Sequence, residues 1–181
     1  MPGPLRRSQP TFHPERLTVF DPAEPPSVVT VCPRAARLLA LWRNWAAGRP
    51  APDWTDVDPL AMPDLLPKLV VLDVLDDDFR FRLVGEAVNE RYGHGLKGRT
   101  LRELMRGPAL DETLDEHRRC AEGLAGVFVR NSLEVATLDD RKFYGRLLLP
   151  IGVEHDRAQK IRAQKILGVM EFFGAEAAEA A

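Results

Sequence analysis

Apolar and polar positions alternate with a period of two along Phe79–Leu83, where Phe79, Phe81 and Leu83 are separated by Arg80 and Arg82. That period predicts a strand buried on one face. The apolar run Leu69–Leu75 precedes it across Asp76, Asp77 and Asp78, so the two runs read as a hairpin with a charged turn. Upstream the period changes to that of a helix. Ala35, Leu38, Leu39, Trp42, Trp45 and Ala46 share one face of a predicted helix from Pro33 to Ala47. Pro33 suits its first turn, and Gly48 and Pro50 end it. After Gly85 a short helical run places Ala87, Val88 and Tyr92 on its apolar side, and Gly93, Gly95 and Gly98 then permit a bend. A strand, helix and bend in this order can build one wall and the lid of a small cup. Thr100 and Glu103 match a capping box over Thr100–Met105. A longer helix from about Ala109 to Glu122 carries Leu110, Leu114, His117, Ala121 and Leu124 on one stripe. Period two then returns in Val127–Val135, Lys142–Ile151 and Leu167–Phe173, with Gly152–Lys165 as a polar loop between the last two.

Residues 1–32 hold seven prolines by Pro26, and prolines oppose both helix and sheet ladders. The predicted organisation is a largely disordered arm over 1–32, one domain over 33–173 and a flexible tail over 174–181. The net charge of −2 gives no field that favours nucleic acid. No apolar run reaches the roughly 20 residues of a membrane span. Cys32 and Cys120 lack metal spacing or a disulfide framework, so a cytoplasmic setting is expected. The sequence RAQKI occurs twice in succession, at Arg157–Ile161 and Arg162–Ile166, too short for a repeat architecture. It reads as a loop insertion or a strand extension.

Helix, hairpin, short helices, a longer helix and three strands argue an α+β domain: a five-stranded antiparallel sheet with helices on one face and an N-terminal amphipathic helix. The order resembles the PAS fold. The carrying motifs are LLALWRNWAAGRPAPDWTDVDP (Leu38–Pro59), LPKLVVLDVL (Leu66–Leu75), FRFRLVGEAVNERYGHGLKGRTL (Phe79–Leu101) and GRLLLPI (Gly145–Ile151). In this combination they are similar to a family of small PAS-like proteins found mostly in alphaproteobacteria. The resemblance implies a stand-alone sensory or regulatory module, signalling by conformational or oligomeric change on binding a small ligand or a partner protein. It implies no catalytic residue. The alternative is a ligand-free interaction adaptor with a filled core, docking its partner on the outer sheet face.

His117 falls within the apolar stripe, on the side facing the cup. It is a ligand-binding donor on one reading and a core histidine bonded to a backbone carbonyl on the other. The resemblance adds axial ligation of haem, since some haem-binding PAS domains use a histidine on the equivalent helix. Tyr92 and Asn131 offer polar groups at the cup, and Leu114, Phe81 and Ala121 complete the expected pocket. His94, between two glycines, is a candidate gate. Trp42 and Trp45 with Leu38 and Leu41 offer a homodimer seam or, on the plainer reading, a helix face packed on the core. Three adjacent aspartates cannot converge on one ion, so Asp76–Asp78 read as a solvated turn. Enzyme motifs such as G-x-S-x-G, the phosphate loop and H-E-x-x-H are absent from the sequence, and the expectation is a protein that is not an enzyme.

Overall fold

The computed structural model describes residues 12–30, 32–93, 95–134 and 141–173, without the side chains of 12–16, 28, 30, 131–134, 141–143 and 173. Two hydrophobic cores lie on opposite faces of one antiparallel sheet. The strands are β1 (Phe12–Phe20), β2 (Leu69–Val74), β3 (Phe79–Val84), β4 (Gly126–Glu134), β5 (Arg141–His155) and β6 (Ile161–Phe173), ordered β1-β4-β5-β6-β2-β3. The PAS-like α+β architecture stands, with six strands in place of five. The sixth comes from the proline-rich arm, where Phe12–Phe20 pairs with β4 at the sheet edge. An edge strand tolerates proline because one row of its backbone groups has no sheet partner. Residues 1–11 and the tail from 174 lie outside the described residues.

Helices cover both faces rather than one. α2 (Pro33–Ala46) follows a single turn, α1 (Ser27–Thr30), and packs Ala35, Leu38, Leu39, Trp42 and Ala46 against Leu147, Leu149, Leu167 and Val169. Polar contacts to β5 and β6 fix it. Trp42 Nε1 donates to the Pro150 carbonyl at 2.7 Å. The buried Glu171 carboxylate accepts from the Arg34 backbone N–H and from its guanidinium, both at 3.2 Å, placing a negative charge at the helix N-terminus. Of the four residues offered for a dimer seam, Leu38 and Trp42 are buried inside the chain's own outer core, with Leu41 and Trp45 half-buried against it, as the plainer reading of this helix face has it. The helix also covers the outer sheet face, where the adaptor reading put a partner.

On the inner face lie α3 (Glu86–Tyr92), α4 (Leu101–Leu104) and α5 (Gly107–Gly123). The capping box forms: Thr100 Oγ1 accepts from the Glu103 N–H, and Glu103 Oε2 accepts from the Thr100 N–H at 2.8 Å. Asp78 is buried rather than solvated, because its Oδ1 accepts from the Phe79 and Arg102 N–H groups and docks α4 on the hairpin.

The β2–β3 register shifts between Val71 and Leu72, leaving Arg82 as an extra residue. This bulge breaks the expected alternation. Phe79, Phe81 and Val84 join the inner core, and Leu83 turns outward. The predicted polar loop Gly152–Lys165 is instead the end of a long hairpin, with strand to His155 and again from Ile161. Its RAQKI copies are five residues apart, an odd number, so equivalent residues face opposite ways where both lie in strand. Ile161 is 53% exposed and Ile166 fully buried. Arg157 sits in the turn, while Arg162 pairs with Glu154 at 3.0 Å.

Gly85 is the tight point between the hairpin and α3. Its N–H donates to the Leu69 carbonyl at 2.7 Å, and a Cβ there would overlap the Pro67 carbonyl. Gly85→Ala is expected to lower stability by about 1–3 kcal/mol, read by urea unfolding. Trp42→Glu puts a carboxylate into the outer core, so circular dichroism should show loss of the fold rather than sedimentation showing a monomer. A folded, dissociated Trp42→Glu protein would restore the seam.

Candidate functional site

The inner face leaves a cavity of about 310 Å³ between the sheet and α3–α5. Its floor is Val70, Leu72, Phe81, Tyr144, Arg146 and Met170. Val88 and Tyr92 of α3 and Leu96, beyond the glycine bend, make one wall. Leu101, Leu104 and Met105 make another, and α5 contributes Ala109, Thr113 and His117. Exposed Arg106 marks the mouth. The volume is at the small end of ligand pockets, which run from about 300 to 1,000 Å³.

Of the six expected pocket residues, His117, Tyr92 and Phe81 line the cavity. Leu114 and Ala121 are buried in the inner core but do not line it. Asn131 pairs in register with Tyr144, and its side chain lies outside the described residues, as does His94. Sequence reasoning missed Tyr144 and Arg146. In the sequence the more apolar phase of β5 is that of Phe143, Leu147, Leu149 and Ile151, whereas the opposite phase, with Tyr144, Arg146 and Leu148, faces the cavity side. The available signal was that a strand apolar in both phases, as in LLLPI, is covered on both sides.

His117 is fully inside the protein. Its Nδ1 is 2.7 Å from the Thr113 carbonyl, so Nδ1 carries the proton and Nε2 the lone pair. The Phe79 ring stands 5.2 Å from the imidazole, tilted by 48°. Burial, then the nearby Arg146 charge, push the imidazole down to about 3, against the Thr113 bond. It is therefore neutral at physiological pH. Burial, reinforced by Tyr144, raises the Tyr92 phenol far above its usual range, with Arg146 and Arg91 pulling the other way. The two tyrosines share a side-chain hydrogen bond. Arg146 Nη2 donates to Glu116 Oε2 on α5. Burial works against the Arg146 charge, but Glu116, Tyr144 and Tyr92 more than offset this and raise its pKa.

Haem does not fit here. Nε2 of a neutral histidine is a competent iron ligand. The cavity, however, is smaller than a porphyrin with its propionates, with Phe79 against the imidazole and the Arg146–Glu116 pair nearby. Among the described residues, no group of three or more acidic, histidine or cysteine side chains could hold a metal ion. No described helix is long and apolar enough to cross a membrane.

The buried neutral His117 makes the fold acid-sensitive in a defined window. The unfolded chain takes up a proton near pH 6.5, whereas the folded chain resists it down to about 3. Stability from this group is complete above about pH 6.5 and falls as pH drops toward 3. Between pH 7 and pH 5 the loss is about 2 kcal/mol. His117→Gln should remove that component, so its urea midpoint will fall less over the same interval.

A scan against protein-family models matches the PAS domain over residues 31–170. No curated protein and no solved structure matches the chain at a significant level. The family match covers most of the chain, from the start of α2 through most of β6, and takes in every cavity-lining residue. Two strands, a run of helices with a cavity beneath them and three further strands are thus one recognised unit, and the chain belongs to the PAS domain family, a class of sensory or interaction modules.

Proposed function

We propose that this PAS domain binds a small molecule in the cavity beneath α3–α5 and signals by a change in how its helices pack on the sheet. The cavity itself carries the reading. Its walls are mostly apolar, with Tyr92, Tyr144, Arg146 and His117 as polar side chains among them, the usual composition of a site that holds and orients a ligand. The chain does no chemistry on this reading, because these groups act as hydrogen-bonding and electrostatic contacts.

Strands β5 and β6 provide the route to the other face. Tyr144, Arg146 and Met170 touch the cavity, while Leu147, Leu149, Val169 and Glu171 hold α2. Neighbouring residues of the same strands therefore contact both ends of the device. A ligand that favours one packing of α5 on β5 shifts the population of α2 arrangements only by its differential affinity for the two states. The output is a change in α2 that a partner reads.

The test is native mass spectrometry of the protein as purified and after incubation with a small-molecule extract of its source cells. A bound small mass is expected in the wild type and absent from Ala109→Trp, which plugs the cavity near its mouth. A clean apo mass under both conditions would remove the ligand-sensing reading.

A further inference from the structure

Strand β5 carries a charge into the inner core. Arg146 lies between Tyr144 and Leu148 on the cavity side, in register with Val129 and Met170. Its side chain is 14% exposed, and that of its ion-pair partner Glu116 only 7%. One donor, Nη2, serves Glu116. The Nε–H is buried and has no acceptor. A buried N–H left unpaired is costly, and native structures leave few of them without a reason.

The surroundings select the sign of a ligand. Among the described residues, the charged side chains lining the cavity are Arg106 and Arg146, and no aspartate or glutamate lines it. Arg91 lies near the same region: it acts electrostatically on Tyr92 together with Arg146, and its Nε and Nη2 are also buried without an acceptor. Glu116 neutralises one of these three cations. The surplus is positive, next to an otherwise apolar chamber formed by Leu72, Phe81, Val88, Leu101 and Met170.

Resting on the reading of this cavity as a ligand site, we propose that its ligand is a small carboxylic acid with an apolar tail, its carboxylate accepting from Arg146. The tail fills the chamber between β2, β3 and α3–α4. Charge-assisted hydrogen bonds between guanidinium and carboxylate are among the stronger ones, and the site is shielded from water. A monoanion suits this arrangement better than a phosphate, which brings up to two charges and more acceptors than the cavity-lining donors, the Arg146 Nε–H and Arg106 at the mouth, supply, since Arg91 is not among the lining residues.

The experiment compares 4-phenylbutyrate with its primary amide, which has nearly the same shape and no charge. Isothermal titration of the wild type should show the carboxylate binding roughly tenfold or more tightly, the scale of a charge-assisted hydrogen bond. In the double variant Arg146→Gln/Glu116→Gln, which removes the pair without leaving a buried charge, that preference should collapse while the amide binds as before. Because this variant bears on the inner core, the Arg Nε–H region of proton–nitrogen NMR spectra of the wild type gives a second reading. One buried arginine resonance should shift downfield with the carboxylate and not with the amide. Equal binding of acid and amide, or a preference that survives in the double variant, overturns the carboxylate assignment and leaves the cavity as a ligand site. No binding of either probe at millimolar concentration, with no NMR shift, overturns both.

Discussion

Burial of the middle of β5 and β6 on both faces is the constraint from which the rest of the structure follows. Leu147, Leu148, Leu149 and Ile151 have no exposed surface, so successive residues of one strand belong alternately to two different cores. One core is closed by α2, anchored through Trp42 and Glu171. The other is closed by α3–α5, which leave a cavity. A sheet covered on one side only would let polar side chains of these strands reach water. In the doubly covered middle of these strands a charged side chain is drawn inside the protein, and Arg146 and Glu171 are held there by ion pairs.

Local signals were legible wherever a single element sets its own limits. Pro33 and the Gly48–Pro50 stop bracket α2 within a residue, and Thr100 with Glu103 announces α4. These depend on backbone groups close in sequence. What escaped depends on pairing between distant strands. The bulge at Arg82 exists only because Val71 meets Leu83 while Leu72 meets Phe81. The duplicated RAQKI reads as a loop insertion or a strand extension, and its polarity alone does not decide between them. Its second copy is strand because Arg162 pairs with Glu154 and Lys165 with Asp73 across the ladders.

The site was half legible for the same reason. Its α5 and α3 side, His117 and Tyr92, follows from helical periodicity, which places a polar residue on an apolar stripe. Its β5 side did not, because the eye assigns the more apolar phase of a strand to the core and the other to solvent. In a strand covered on both faces neither phase is solvent-facing, and the charged residue of the second phase becomes the most informative one. Leu114 and Ala121 show the converse. They share the stripe with His117 but pack in the filled part of the inner core, since a stripe fixes a direction and not where along it the helix stands away from the sheet.

Energetics separates the two uses of these buried ions. Glu171 and Arg34 fasten α2 while Arg34 keeps substantial contact with water, so little desolvation is incurred on the cationic side. Arg146 and Glu116 are both withdrawn from solvent, and such pairs commonly contribute no more stability than apolar residues of the same volume. A fold built for stability alone could place a methionine and a leucine there. Arg146 instead leaves Nε–H unpaired beside a cavity with no acidic lining residue among the described ones. That cost falls on the folded state without an acceptor. On the proposed reading a carboxylate relieves it, and ligand occupancy is thereby coupled to the packing of α5 against β5.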